Sequence, residues 1–494
     1  MRALERAVSS PVRVGGLPAV SPVAGLARRS IGFADVLGQS VSAVAPAAAA
    51  TTTTVIVAAV AGSASFWSMG TALVVALLVA STVNQFTRRI AATGSLYTFV
   101  ARGLGAGSAV VAGIALLIGY GFIAMFTLTG AGFYVSILLA RLWPGMPSAV
   151  IVAAIVMAVM GAVGFLVVAR GVRLTTRLTL VIELVSVAII LVLVVALFVS
   201  TGAGLDWGVL GFTDASPSSI VVGTAIAMTA YVGFESSATL GVEAKRPFAV
   251  IPRAITWTVI ASGGLYLVTT FAQLSAFDGL GVDLASSIPA NDLTAAFGVP
   301  AAGILLDVSI VASFFACALA SITALSRVLF AMGREGGLPY AVGRTHPRFR
   351  TPIVAIAIAV PVVTVVPIVA VLLTGAIWPV MEVLILCSAA GYITAYVFVC
   401  VAAPVFLHRI GELTAWPVVR AAVAAMALTG ILAVYMIEES STSRVVGVWV
   451  FWSVLAVGVA SYAIRVARRP WLRTAIGVYD SPVAADVLGG STGP

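Results

Sequence analysis

A dozen long apolar runs limit what this sequence can fold into more than any other feature. A helix needs about 20 apolar residues to cross the ~30 Å hydrocarbon core of a membrane. Every backbone group in lipid must bond within its own segment or a closed barrel, and runs this continuous are typical of helices. We therefore expect an all-α membrane protein of about twelve spans. The runs lie at residues 32–61, 70–85, 108–139, 148–168, 178–200, 220–243, 254–275, 301–331, 352–373, 378–407, 417–437 and 446–464.

The composition excludes the soluble classes. Of the 494 residues 61% are hydrophobic and 9% are charged, against roughly a quarter charged in ordinary soluble domains. This argues against a cytosolic enzyme, a nucleic-acid binder and a disordered chain. Cys317, Cys387 and Cys400 lie inside apolar runs and predict small core residues rather than a disulfide framework. No cleaved signal peptide is indicated, and no loop could form a separate soluble domain, so we expect function to lie within the membrane.

The basic residues predict the orientation, because cytoplasmic loops retain Lys and Arg. All but two of the 27 lysines and arginines fall on one side of the predicted spans, and the exceptions are Arg141 and Arg444. We therefore expect both termini in the cytoplasm and the protein in the cell (plasma) membrane. The opposite side carries mostly acids. These are Asp206, Asp214, Asp278, Asp283, Asp292, Glu438 and Glu439.

Two spans are interrupted. Pro46 lies in the middle of the first run, where a continuous helix would lose a hydrogen bond and gain a clash. Proline is favourable in the first turn of a helix, so we expect one short helix to end near Val44 and another to begin at Pro46. The sixth run has Gly233 and the carboxylate of Glu235 near its centre.

These interruptions occupy matching places if the first ten spans are two repeats of five. Because five is odd, the second repeat is expected to be inverted, and the third and eighth runs are both unusually long. Paired breaks in corresponding spans indicate the central site of a transporter. The alternative is that Pro46 only kinks a helix and Gly233 only permits close packing.

Three segments resemble motifs of the amino acid-polyamine-organocation transporter superfamily. The resemblance implies a leucine-transporter-type fold of five-plus-five inverted repeats with two additional C-terminal helices, and small amino acids or amines as substrates. The implied parts are a tail (1–31), repeat 1 (32–200), repeat 2 (218–408), the added helices (416–467) and a second tail (468–494). The segments are GSLYTFVARGLG at 94–105, GFESSATLGVEAKRPFAVIPRAI at 233–255 and SRVLFAMGREGGLP at 326–339.

A zwitterionic substrate needs an anion site beside a cation site, and a broken helix offers free N–H groups at one stub and free C=O groups at the other. The resemblance implies that the amides of Ala47 and Ala48 hold the substrate carboxylate. Many family members have a Gly-x-Gly-like segment where this chain has Pro46, Ala47 and Ala48. The implied partners of the ammonium are carbonyls around Val44, Thr229, Ala230 and Val232, beside Gly233, with Tyr231 and Phe234 as gating candidates.

Five acids lie within the predicted spans, where ionisable groups are costly and often functional. Asp35 and Glu382 lie near span ends, which favours structural roles. Asp307 is either half of a structural pair or part of an outer gate. Glu235 either caps the half-helix after the break or takes part in proton binding or gating. Glu183, about 9 Å of helix rise beyond the basic residue at 177, either pairs with a basic residue of another span or binds a proton.

The sequence leaves three alternatives for the ion that is coupled to transport. Many relatives have a lysine in span five, and the aligned residue here is Ser186, while the single lysine, Lys245, lies in a loop. Without that lysine, transport could be coupled to a proton on Glu183, which we favour, or to a sodium ion. In an exchanger it would be coupled to no ion. Possible sodium ligands in span eight are Ser313, Ser321 and Thr323.

The sequence predicts a secondary active transporter that moves an amino acid or related amine by alternating access. His346 and His408 lie in or beside loops, so no metal site, cofactor or enzyme activity is expected. The expected partners are the substrate, a proton or sodium ion and the lipid bilayer, without nucleic acid. One alternative is a polyamine or nucleobase transporter on the same scaffold. Another is a non-transporting sensor or partner subunit.

Overall fold

The computed structural model describes residues 21–143, 145, 148–201, 207–211, 216–280, 300–442 and 444–480. Several sequence-based expectations lie outside the described residues. They concern residues 1–20 of the first tail, residues 481–494 of the second, and the loop acids Asp206, Asp214, Asp283 and Asp292.

Twelve helices of the described chain are long and apolar enough to cross a membrane, which confirms the expected all-α membrane protein. We number them spans 1 to 12 in chain order. They are Phe33–Ala58, Gly62–Thr87, Ala106–Leu142, Ala149–Arg170, Val172–Ala196, Ser218–Leu240, Pro247–Ser275, Ala302–Arg334, Ile353–Thr374, Trp378–Arg409, Ala415–Ser440 and Val445–Arg468.

The spans divide into a buried core and a lipid-facing periphery. In spans 1 and 8, 78% of the most apolar stretch is buried, and in spans 3 and 10 the share is 72%. In spans 4, 5, 11 and 12 it is only 22% or 28%. Exposed apolar residues on the outer spans suit lipid tails, which are as apolar as the side chains themselves. A site inside the core is therefore shielded from lipid.

Small residues let the central spans approach closely, as is common between membrane helices. A Cβ on Gly391 of span 10 would lie 2.6 Å from the carbonyl oxygen of Ala115 and from the amide nitrogen of Gly119 in span 3. Both long helices, Ala106–Leu142 and Pro300–Arg334, contribute to this core. The expected unusual length of spans 3 and 8 is therefore confirmed.

Some boundaries differ from those expected from hydropathy. Span 2 begins at Gly62 rather than at residue 70, and the helix of span 7 begins at Pro247 rather than at residue 254. Pro247 is the first residue of this helix, where proline is favourable, and Pro252 lies inside the helix without ending it. A short helix that hydropathy does not reveal, Leu96–Leu104, lies within the motif at 94–105 and leads into span 3.

The two ends of the described chain meet. The Ser21 hydroxyl donates to the Asp480 carboxylate at 2.7 Å, and the guanidinium groups of Arg28 and Arg29 each lie 3.0 Å from the same carboxylate. We call this end of the bundle the termini face. By the alternation of the spans, Arg141 and Arg444 lie at the opposite end, which we call the mouth face.

Candidate functional site

Span 1 is broken where the sequence predicts. It consists of two half-helices, Phe33–Val44 and Pro46–Ala61, joined at Ala45. Ala45 has φ 50° and ψ 58°, a left-handed conformation that residues other than glycine rarely adopt. Pro46 occupies the start of the second half-helix, where proline costs no hydrogen bond because an N–H there would have no acceptor within the helix. The expected end near Val44 and restart at Pro46 are confirmed.

Span 6 is broken beside it. The helix Pro217–Ala227 passes into a 3-10 turn at Met228–Ala230, and a second 3-10 stretch covers Phe234–Leu240. The irregular region thus begins before Gly233, which has φ 97°. A Cβ on Gly233 would lie 2.8 Å from the Ala43 carbonyl oxygen. The backbones of the two breaks are therefore in close contact, and glycine is required there.

A cavity of about 140 Å³ lies between the two breaks, and we call it the break cavity. Three of the expected substrate-binding residues line it: Val44, Thr229 and Val232. Ala45 and Ala49 contribute from span 1. Most of the remaining wall is apolar and comes from spans 3, 8 and 10. These wall residues include Ile123, Phe126, Phe314, Trp378, Met381 and Ile385.

The break cavity extends toward the mouth face, where three charged residues line it: Glu382, Glu439 and Arg444. Arg444 lies 2.7 Å from the Glu439 carboxylate and 3.7 Å from that of Glu382. Asp307 of span 8 lies outside the cavity and pairs with Arg141 at 3.3 Å, in agreement with the structural alternative for that residue. The charges at the mouth therefore include two acids and one base.

Toward the termini face the break cavity is closed by polar contacts between the half-helices. The Ser40 hydroxyl lies 2.7 Å from both the Phe234 carbonyl oxygen and the Ser237 hydroxyl. The Ser236 hydroxyl donates to the Gln39 carbonyl at 3.1 Å. The Phe234 ring, a gating candidate, stacks on a span 10 tyrosine on this side of the cavity. The structure is therefore open at the mouth face and closed at the termini face.

The other expected residues of the span 1 break, Pro46, Ala47 and Ala48, are not among the residues that line the cavity. Two of their amides interact with Ser313 and Glu183. The fully buried Glu183 accepts a hydrogen bond from the Ser313 hydroxyl, which lies 3.0 and 3.1 Å from its two carboxylate oxygens. The Ala48 amide donates to the same hydroxyl at 3.3 Å. The Ala47 amide also interacts with the Glu183 carboxyl group. Glu183 thus contacts a hydroxyl and the break itself, rather than the basic side chain that one alternative expected.

Ser186 does not reach the break. Its hydroxyl donates to the Ser309 carbonyl at 3.2 Å, and the Ser309 hydroxyl donates back to the Ser186 carbonyl at the same distance. This reciprocal pair fastens span 5 to span 8. Of the expected ion-coupling residues in span 5, Glu183 is therefore the one in contact with span 1.

Glu235 belongs to a buried tyrosine network. Its carboxylate accepts hydrogen bonds from the Tyr120 hydroxyl at 2.9 Å and from the Tyr396 hydroxyl. The Gly233 amide donates to the Tyr396 oxygen at 3.1 Å. The carboxylate also interacts with the backbone amides of residues 233 and 235 at the start of the second 3-10 stretch, the position expected for a cap. Glu235 thus holds the irregular backbone of span 6 to spans 3 and 10.

The two remaining expected residues of span 6 point toward spans 2 and 7. The Tyr231 hydroxyl donates to the Met69 carbonyl at 3.3 Å, and the Ala230 carbonyl accepts from the Tyr266 hydroxyl at 3.0 Å. The Tyr231 and Tyr266 rings meet edge to face. The Ala230 carbonyl therefore already has a protein donor, whereas Thr229 and Val232 border the cavity.

A buried ion pair on the termini face was not expected from the sequence. Arg327 donates to Glu243 through Nε at 2.7 Å and through Nη2 at 3.0 Å. The two side chains are 2% and 1% exposed. Both residues lie in the quoted motifs, at 233–255 and 326–339, so the motifs themselves carried the signal that could have found the pair. The pair connects the end of span 6 to span 8.

The same motifs supply a second buried acid outside the spans. Glu335 accepts hydrogen bonds from the Tyr97 hydroxyl and from the amides of Gly477 and Val478, at 3.1 and 2.7 Å for the amides. Burial raises the pKa of Glu335 to about 7, against the lowering effect of these donors and of Arg102. Glu335 therefore binds the C-terminal segment to the motifs at 94–105 and 326–339.

Comparison with known families agrees with this geometry. The profile of the family described as amino acid permease matches residues 35–438, which include both breaks and the cavity. The chain belongs to the amino acid permease family. The resemblance to the amino acid-polyamine-organocation superfamily is thereby confirmed, and the matched region extends from the first half-helix of span 1 into span 11.

Several proteins similar to this permease are named as transporters. The low-affinity putrescine importer of Escherichia coli (strain K12) is 28% identical over 57% of this chain and 62% of its own length. Cationic amino acid transporter 4 of Mus musculus is 28% identical over 60% of this chain and 48% of its own length. The serine/threonine exchanger of Bacillus subtilis (strain 168) is 33% identical over 31% of this chain and 36% of its own length. The chain thus spans less than two thirds of these relatives.

Proposed function

We propose that this protein is a secondary active transporter that moves a small amino acid or amine across the membrane by alternating access. The observation that supports it most is the break cavity, which lies between two interrupted helices, reaches the mouth face and is closed toward the termini face. A transporter site near the middle of the membrane is typically built from such discontinuous helices. The permease relatives named above agree with this proposal.

The amine end of the substrate would bind to helix carbonyls. The last carbonyls of a helix have no partner within it and carry the negative end of the helix dipole. Val44 ends the first half-helix of span 1, and Thr229 and Val232 lie where span 6 unwinds. All three residues line the break cavity. We propose that their backbone carbonyls bind the ammonium group.

We propose the five-plus-five inverted repeat, 32–200 and 218–408, as the frame for this motion. The breaks in spans 1 and 6 support it because these spans hold corresponding places in the two halves. We also propose that the termini face lies in the cytoplasm of a plasma-membrane protein, because most arginines are on that side. A cysteine replacing the exposed Ser216 should react with an impermeant reagent added outside, and one replacing the exposed Ala249 should not. The reverse labelling pattern would overturn this orientation.

We propose that coupling, where it occurs, uses a proton on Glu183. The support is that Glu183 contacts both span 8, through Ser313, and the span 1 break. Glu183→Gln should still exchange substrate across the membrane but lose accumulation driven by a pH gradient. A mutant that still accumulates substrate under that gradient, or a wild type that needs sodium to do so, would contradict the coupling proposal.

The transport proposal is tested by uptake of radiolabelled amino acids, amines and nucleobases into proteoliposomes. A bulky residue at Ala49, which lines the break cavity, should abolish uptake. The matched control is a tryptophan at Val159 of span 4, which is 57% exposed on the lipid-facing side. Ala49→Trp should block uptake while Val159→Trp leaves it intact. Binding without flux in the wild type would favour the sensor alternative.

A further inference from the structure

The N-terminal end of the second half-helix of span 1 has no amide left for a ligand. Pro46 has no N–H, the Ala47 amide interacts with the Glu183 carboxylate, and the Ala48 amide donates to the Ser313 hydroxyl. The Ala49 amide already bonds to the Ala45 carbonyl at 2.9 Å. The first amides of a helix are its natural anion site. Here the protein supplies a carboxyl group from its own span 5.

We infer that Glu183 occupies the place of a substrate carboxylate, so that the preferred substrate is an amine without an α-carboxylate. This inference rests on the proposed transport function and specifies its substrate class. Glu183 is fully buried and held by Ser313, so its carboxylate is a fixed part of the site. A second carboxylate brought to the break would find no free amide donor, because the Glu183 carboxyl group and the Ser313 hydroxyl already occupy these amides.

The charges at the mouth agree with a cationic substrate. Of the lining residues that the structure describes, Glu382 and Glu439 are acids and Arg444 is the one base. Arg444 contacts both acids, so its charge is already balanced and one negative charge remains. A cavity with net negative charge attracts cations and raises their local concentration.

The walls of the break cavity also suit an amine. Phe126, Phe314 and Trp378 line it with aromatic rings, and an alkylammonium ion is attracted to the face of such rings. An apolar wall accommodates the carbon chain of an amine, while the carbonyls at the breaks take its charged end. No basic side chain in the described lining, apart from the engaged Arg444, offers a partner for a substrate carboxylate.

The test compares substrates that differ only in the α-carboxylate. The pairs are ornithine with putrescine, lysine with cadaverine, tyrosine with tyramine and serine with ethanolamine. Initial uptake of each radiolabelled compound is measured with the full chain in proteoliposomes. We expect the amine of at least one pair to be taken up about 10- to 100-fold faster than its amino acid, the effect of leaving a carboxylate without a donor. Faster uptake of the amino acid in every transported pair would overturn the inference.

Glu183→Ala gives the complementary measurement. It frees the Ala47 amide and leaves a space where the carboxyl group was, so a substrate carboxylate can take that place. The ratio of amine to amino acid uptake should fall at least 10-fold within each transported pair. Ser186→Ala is the matched control, because Ser186 is also buried in span 5 but bonds to Ser309 away from the break. It should leave the ratio unchanged.

The two proposals fail in different ways. Absence of uptake of every compound by the wild type would overturn transport. The substrate preference is then still measured as ligand-induced thermal stabilisation of the purified protein, where the amines should stabilise it and their amino acid partners should not. Stabilisation by the amino acids alone would overturn the assignment of Glu183. If Glu183→Ala does not fold, the wild-type pairs decide the question by themselves.

Discussion

Glu243→Gln should open the termini face. In the described structure the fully buried Arg327 bonds to Glu243 through two nitrogens, and this pair joins the end of span 6 to span 8 on the closed side of the break cavity. The substitution keeps the shape of the side chain but removes its charge. Arg327 then keeps its bond to the Thr323 carbonyl at 2.9 Å but loses its charged partner in a buried position.

The expected magnitude is large because both side chains are almost completely buried, at 2% and 1% exposure. Breaking such a buried pair by removing one partner costs about 3–5 kcal/mol. If the pair is present only while the termini face is closed, this cost shifts the equilibrium toward the open form by roughly 10²- to 4 × 10³-fold. The pair between Arg177 and Asp35, at 3.0 Å, provides the contrast, because Arg177 is 60% exposed while Asp35 is 5% exposed. Asp35 also accepts a hydrogen bond from the Gly32 amide, so Arg177→Gln should cost less than breaking the fully buried pair.

The assay is the rate at which a maleimide labels a cysteine placed at the buried Ala238, between the pair and the break. The background replaces the native Cys317, Cys387 and Cys400 by alanine. Glu243→Gln should raise the labelling rate at least 10-fold, while Arg177→Gln should leave it nearly unchanged. An unchanged rate in a folded Glu243→Gln protein would refute the idea that this pair holds the termini face closed.

Three further predictions concern other parts of the site. Gly233→Ala should abolish uptake and destabilise the protein by more than about 1 kcal/mol, because its φ is 97° and the new Cβ would lie 2.8 Å from the Ala43 carbonyl oxygen. Gly70→Ala is the control and should be tolerated, because its Cβ would have its nearest contact at 4.0 Å. Equal thermal stability and uptake of the two variants would contradict this prediction. The folded pKa of Glu335, about 7, lies above its ordinary value of 4.5, so the folded state holds the extra proton and stability in detergent should fall by roughly 3 kcal/mol from pH 4.5 to 7. Glu335→Gln should remove most of this dependence of stability on pH. A mutant whose stability changes with pH as in the wild type would show that Glu335 is not its source. Asp480→Asn should weaken the contact between the two ends of the described chain, because Asp480 pairs with Arg28 and Arg29. Trypsin should then cleave the N-terminal segment faster than in the wild type. Equal cleavage rates would show that this contact does not hold the segment.

The fold and the breaks could be predicted from sequence because they depend on local chemistry. Hydropathy reveals a span within its own twenty or so residues. A proline inside an apolar run excludes a continuous helix wherever the chain lies, so the restart at Pro46 followed from one residue. The short helix Leu96–Leu104 was missed because it lies between spans, where apolar length gives no signal.

The partners of the buried charges could not be predicted, because they are decided by packing between distant segments. Glu183 and Ser313 are 130 residues apart, and Glu243 and Arg327 are 84 residues apart. The sequence marked Glu183 as too deep for easy solvation, but the direction of its side chain depends on how span 5 turns toward spans 1 and 8. The sequence therefore predicted that the amides of Ala47 and Ala48 bind the substrate carboxylate, whereas in the structure these amides contact Glu183 and Ser313.

The most direct test of the account is a structure of the protein with its best-transported substrate bound. We expect substrate density in the break cavity, with the amine group within hydrogen-bond distance of the carbonyls of Val44, Thr229 or Val232. Substrate density confined to the separate cavity lined by Ile114 and Leu329, with the break cavity empty, would contradict it.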